Sequence, residues 1–284
     1  MADDGTRLFV RTRPGAHPPE AVRAFFCDGI LCEGFIWKYA WESMAELAPL
    51  VHWNYRGHGR SSPPKDPDRI DIAAHASDLM TVRSHVDDPP CVLIGHSMGC
   101  QVALECARRY PDRVRGLILI CGSYGKVTRT IRGVPVVDWV LPKIVEIATK
   151  RASILRAFWS RIPPEMAFKI AIKTGDLDPD KIRPQDMIPY FREMAHIDAT
   201  MFLRMLRAAG EHSAEGYLAE ITVPTLIIAG ERDTLTPPFL SQSMAAQIPN
   251  AELFIVPGGT HVVPIEQPEV VGERIASFWA RVTP

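Results

Sequence analysis

Strand-length runs of apolar residues, bounded by glycine or proline, alternate along the chain with longer stretches whose apolar positions recur every three to four residues. The short runs predict strands at residues 8–12, 22–27, 50–55, 91–95, 116–120, 225–229 and 252–256. The longer stretches predict helices at residues 36–47, 72–85, 98–110, 239–247 and 268–282. Pro268 followed by Glu269 opens the last of these, because a proline ring fits the first helical turn and its missing N–H is not needed there. Buried strands alternating with helices predict an α/β fold, a mostly parallel, doubly wound sheet covered on both faces.

The alternation stops at about residue 122 and resumes at about residue 221. Between them the helical period continues without strands, at 134–150, 154–160, 164–173, 187–194 and 200–209. Neighbouring parallel strands need only a short crossover. The intervening residues, 122–220, are therefore expected to form an inserted helical lid, or cap, on a core made of 1–121 and 221–284. The insertion is rich in large apolar residues: Trp139, Phe158, Trp159, Met166, Phe168, Met187, Phe191, Met194, Met201, Phe202 and Met205. Helix interiors need such residues in any case, so most are expected to pack the insertion itself. A lid would turn a few of them toward a cleft.

Composition narrows the class without naming a function. An apolar fraction of 46% and a charged fraction of 23% suit an ordinary globular chain. Lys+Arg 32 against Asp+Glu 33 leaves a net charge of −1, which gives no electrostatic case for nucleic acid or an anionic membrane. The apolar runs are too short to cross a bilayer, and the first five residues have neither a basic nor an apolar leader stretch. A cytoplasmic location without integral membrane association is expected. All six cysteines (27, 32, 91, 100, 106 and 121) fall in the first half without metal-type pairing, so buried free thiols are expected rather than disulfides. The histidines form no ligand pair, and no metal or other cofactor is expected.

Gly95-His96-Ser97-Met98-Gly99 fits the G-x-S-x-G nucleophile elbow. Its context suits the part: Val92-Leu93-Ile94 reads as a buried strand, and the residues after Met98 read as a helix ending before Pro111. A strand feeding directly into a helix needs a sharp, strained turn that exposes the serine, and flanking glycines remove the clashes. A hydroxyl so placed still needs a base to take its proton. Two later strand ends offer one. The strand at 225–229 runs into Gly230-Glu231-Arg232-Asp233, and the strand at 252–256 runs into Pro257-Gly258-Gly259-Thr260-His261. His96 is a poor base for its neighbour, since consecutive residues at a strand end point in different directions. It is expected to pack or hydrogen-bond near the turn. Glu231 is the rival to Asp233 as the acid.

With these residues together, the sequence resembles the α/β-hydrolase superfamily over nearly its whole length. Asn54-Tyr55-Arg56-Gly57-His58-Gly59-Arg60-Ser61 is similar to that family's D-x-R-G-x-G-x-S loop, with Asn54 where Asp is usual, and Tyr110-Pro111-Asp112-Arg113-Val114 to its helix-to-strand connector. His58 and Asp112 are expected to be structural. The resemblance implies a catalytic triad in the order Ser97, Asp233, His261. It also implies an oxyanion hole from the backbone N–H groups of Met98 and Ile30. The loop carrying Ile30 reads Cys27-Asp28-Gly29-Ile30-Leu31, with Asp28 where family members often have His. Asp28 is expected to point away from the oxyanion and to be satisfied by nearby donors. The activity implied is hydrolysis of a small apolar carboxylic ester through an acyl-enzyme. Thioesters, lactones and C–C bonds are alternatives open to the same triad, and Gly-His-Ser-Met-Gly also resembles acyl-carrier thioesterases. Epoxide hydrolases and haloalkane dehalogenases use Asp at the nucleophile position and fit less well. A ligand receptor on this fold would usually have lost a triad member.

Overall fold

In the computed structural model, residues 1–15, 17–18, 21–126, 128, 136–151, 161–195 and 197–283 are described. Seven strands form one sheet: β1 (Val10–Arg13), β2 (Arg23–Cys27), β3 (Leu50–Trp53), β4 (Cys91–His96), β5 (Val114–Ile120), β6 (Thr225–Gly230) and β7 (Ala251–Val256). Their order is β1-β3-β2-β4-β5-β6-β7. Only the β1–β3 pair is antiparallel; every other pair is parallel. Every residue of β3, β4 and β6 is buried, as expected where helices cover both faces.

Strand alternation sends successive residues to opposite faces. Phe25, Leu93 and Leu117 join α2 (Ile72–His85), α3 (Met98–Arg109) and α8 (Pro238–Gln247) in one core cluster. Phe26, Ile94 and Ile118 join α1 (Lys38–Met44) and α10 (Pro268–Val282) in the other. The predicted helix at 36–47 differs: a 3-10 turn, Phe35–Trp37, precedes a shorter α1. Gly34, at φ 86°, allows the chain to swing into that turn.

Between β5 and β6 the described residues hold α4 (Val136–Lys150), α5 (Pro164–Lys173), α6 (Pro184–Met194) and α7 (Ala199–Glu211). The predicted helix at 154–160 lies outside the described residues. α6 starts at Pro184, earlier than its apolar spacing implies, because proline is well suited to a first turn. The first and last parts of this segment are tied to each other. Gly125 and Ser213 form an antiparallel bridge, and Ala214 N–H donates to Tyr124 O at 2.6 Å. On α6, Asp186 accepts hydrogen bonds from Lys38 and, at 2.9 Å, from Tyr39 of α1.

The loop between β3 and α2 is organised by Arg56, which is fully buried. It donates twice to Asp78 of α2, both at 2.7 Å, and reaches Asp3 at 2.7 Å and Asp4 at 3.3 Å. His58 is buried in the same loop. All six cysteines are free and buried. No helix of the described residues is long and apolar enough to cross a membrane.

Candidate active site

β4 enters α3 through a single residue, Ser97, at φ 55° and ψ −121°. A side chain in that region costs about 1–3 kcal/mol, so surrounding structure must hold it there. Ser97 N–H donates to Ile120 O at 3.0 Å, and Cys100 N–H donates to Ser97 O at 3.1 Å. The turn closes only because its glycines lack Cβ atoms. A Cβ on Gly95 would lie 2.5 Å from Gly99 O, and one on Gly99 would lie 2.0 Å from Cys27 O. Met98 is the first residue of α3, so its N–H has no carbonyl four residues back within the helix.

β6 ends in the turn that carries Asp233, which is buried. Its Oδ1 accepts from Leu235 N–H and Thr236 N–H, both at 2.9 Å. Its Oδ2 lies 2.9 Å from His261 Nδ1 and 2.7 Å from the Thr236 hydroxyl, which has Cys121 O as a second acceptor at 2.7 Å. Burial alone would push the Asp233 carboxyl up, but the charge and donors of His261 and the Thr236 donors outweigh it and hold the group below its ordinary value. A carboxylate can only accept, so His261 Nδ1 carries a proton and donates it to Asp233. Glu231 is exposed and accepts from Gly258 N–H at 2.8 Å instead. Thr236 is a site residue that sequence reading missed; the i+3 spacing from Asp233 was its one signal.

The loop after β7 is pinned from behind. Glu266, buried in α9 (Val263–Glu266), accepts from Thr260 N–H at 3.0 Å, from the Thr260 hydroxyl at 2.9 Å and from Asp178 N–H at 2.8 Å. His96 supports the next residue: its Nε2 donates to His261 O at 2.8 Å. Burial, with His261 nearby, pushes His96 down to about 3, so the ring is neutral and its Nδ1 is left without a partner.

Gly29, in the loop after β2, faces the elbow: a Cβ there would stand 3.1 Å from Ser97 Cβ. Asp28 beside it is fully buried and satisfied. Trp37 Nε1 donates to its Oδ1 at 2.7 Å and His52 Nε2 meets its Oδ2 at 2.8 Å. Arg11 Nε donates to His52 Nδ1 at 3.1 Å, which leaves the His52 proton on Nε2, facing Asp28. Both carboxylate oxygens therefore have donors other than the Ser97 hydroxyl.

A cavity of about 500 Å³ brings Ile30, Ser97, Met98 and His261 to one space. From the insertion, Leu177, Met187, Phe191, Met194, Phe202 and Leu206 are among the apolar residues that wall it, together with Tyr190. Phe168 and Met205 are buried in the cores, Met166 is exposed, and Met201 packs near Gly57. The side chains of Trp139, Phe158 and Trp159 lie outside the described residues. Among the described residues no group of three or more His, Cys, Asp or Glu is placed to hold a metal ion.

Comparison with known proteins agrees with this architecture. The model of the alpha/beta hydrolase fold family matches residues 26–268. A provisionally named 2-succinyl-6-hydroxy-2,4-cyclohexadiene-1-carboxylate synthase of Bacillus subtilis is 26% identical over 292 residues, covering 97% of this chain and 95% of the relative. Among solved structures, the enol-lactonase from Burkholderia xenovorans superposes with a TM-score of 0.77 at 19% identity, covering 98% of each chain. Est816, described as an N-acyl homoserine lactone degrading enzyme, superposes with a TM-score of 0.76 at 22% identity, covering 97% of this chain and 98% of its own.

Proposed function

The chain belongs to the alpha/beta hydrolase fold family, and from that premise we propose that it is a serine hydrolase of carboxylic esters with an apolar acyl part. One observation carries the reading: buried Asp233 holds His261 Nδ1 at 2.9 Å beside the cavity that the strained Ser97 also lines. In this mechanism His261 Nε2 takes the Ser97 hydroxyl proton as Oγ attacks the ester carbon. Negative charge moves to the carbonyl oxygen, where the N–H groups of Ile30 and Met98 stabilise it by donating hydrogen bonds. The His261 proton passes to the leaving alcohol, the C–O bond breaks, and Ser97 is left acylated. Water, deprotonated by His261, then repeats the sequence and frees the acid. Asp233 stays ionised throughout and stabilises the imidazolium. No cofactor enters any step.

The helical insertion, residues 122–220, acts as a cap whose apolar side chains receive the acyl chain. Lengthening that chain inside such a wall gains about 0.8 kcal/mol per buried methylene. A lactone is an internal ester and follows the same steps, so the lactone-degrading proteins similar to this chain are compatible with the proposal. A thioester differs only in its leaving atom. The deciding experiment is turnover of esters, thioesters and lactones of graded acyl length by wild type and by Ser97→Ala. The proposal expects Ser97-dependent turnover that favours medium acyl chains over acetate. A flat or reversed dependence on acyl length contradicts the acyl-pocket role of the insertion.

A further inference from the structure

The polar side chains around the cavity mostly have partners inside the protein. Gln101 Nε2 donates to Ala209 O at 2.9 Å and meets His212 Nδ1 at 3.1 Å. Ser123 Oγ donates to Gly125 O at 2.9 Å. Asp176 accepts from Thr234 at 2.9 Å and from Thr174 at 2.6 Å. Tyr190 differs. Its ring is stacked on Phe35, with centroids 3.9 Å apart and planes 22° apart, and meets Phe191 at 5.3 Å. The ring is thus held on two sides, yet its hydroxyl bonds to none of the described residues. Burial, and the Cys32 thiol nearby, push the phenol well above its ordinary value, so it stays protonated and can donate.

Tyr190 lines the apolar cavity, so its O–H, a donor without a partner among the described residues, is available to a ligand acceptor there. No lysine or arginine is among the described residues that line the cavity, so a ligand carboxylate would lack a counter-ion there. Position decides which half of the substrate Tyr190 meets. Phe35 and Cys32 follow Gly29 in the loop beside Ser97, whereas the leaving oxygen must lie where His261 can protonate it. We infer that Tyr190 is a specificity-determining residue whose hydroxyl donates to a neutral oxygen acceptor, such as a ketone, amide or ether, within the acyl part of the substrate. The inference rests on the ester-hydrolase reading for its orientation. The donor role of Tyr190 can be measured without turnover.

The test uses p-nitrophenyl octanoate and its derivatives with one oxo group at successive acyl positions beyond the third carbon, where the ketone does not activate the ester. Wild type is expected to prefer at least one oxo derivative over the plain octanoate by about tenfold in kcat/KM, the worth of one good hydrogen bond. Tyr190→Phe keeps the stacked ring and is expected to lose the oxo preference, read as the ratio of kcat/KM for the preferred oxo ester to that for the octanoate within the same variant. Dissociation constants of the same esters on Ser97→Ala and on Ser97→Ala/Tyr190→Phe should differ by the same factor for the preferred derivative alone. If no oxo derivative is preferred, or the preference survives Tyr190→Phe, the inference is wrong. If wild type hydrolyses none of the esters, the proposed function fails, and the dissociation constants still decide the role of Tyr190.

Discussion

Ser97 occupies a backbone conformation that glycine adopts without strain and other residues do not. Ser97→Gly should therefore abolish activity while raising the unfolding free energy by about 1 kcal/mol over Ser97→Ala in denaturant titration. Equal stabilities would mean that the turn is not strained. Asp233 takes donors on both oxygens, and the contact with His261 fixes the proton on Nδ1. Asp233→Asn should fold and lose about four orders of magnitude in kcat, since an amide can hold the imidazole in the wrong tautomer. Glu231→Gln should stay close to wild type, because Glu231 is occupied at Gly258. At Asp28 the two readouts should separate. Asp28→Asn removes an acceptor from Trp37 or His52 and should cost about 1–3 kcal/mol of stability while changing kcat little. A large fall in kcat with unchanged stability would instead give Asp28 a part in the chemistry.

At the scale of elements, local signals carried most of the fold. The helices at 72–85, 164–173 and 268–282 have the ends that proline placement and apolar spacing imply. The strands differ by a residue or two, because pairing with a neighbour decides a strand end and spacing does not. Ser97, Asp233 and His261 were legible because each follows a recognisable strand at one edge of the sheet. The contacts around them were not legible, being set by tertiary packing. The Trp37–Asp28–His52–Arg11 chain crosses four elements or loops, and the Phe35–Tyr190 stack joins segments far apart in sequence. The strand-to-helix turn makes one sharp prediction. Gly99→Ala would place a methyl 2.0 Å from Cys27 O, a backbone atom that cannot rotate away. The variant should fail to fold or unfold at far lower denaturant, and a wild-type midpoint would contradict the close approach of α3 to β2.

For the whole molecule, buried histidines couple stability to acid. Burial pushes His75 down to about 3, helped by the positive surroundings of His58 and Arg56, and His96 is held equally low. An unfolded histidine titrates near pH 6.5, so between about pH 6.5 and pH 3 the unfolded chain binds more protons than the folded one. Stability is then full above pH 6.5 and falls as pH drops through this window. Each histidine should remove about 2 kcal/mol by pH 5, at about 1.4 kcal/mol per pH unit. His75→Phe, which cannot take up a proton against Tyr55, should shrink the loss between pH 7 and pH 5 by about that amount. An unchanged loss would show that His75 does not drive it.

Ser97 is the proposed nucleophile, and a fluorophosphonate reacts with an activated serine and stays bound to it. Wild type should take up one equivalent, mapped by mass spectrometry to Ser97, and lose ester turnover in proportion. Ser97→Ala should take up none. Label on another residue, or turnover that survives full labelling of Ser97, would contradict the mechanism.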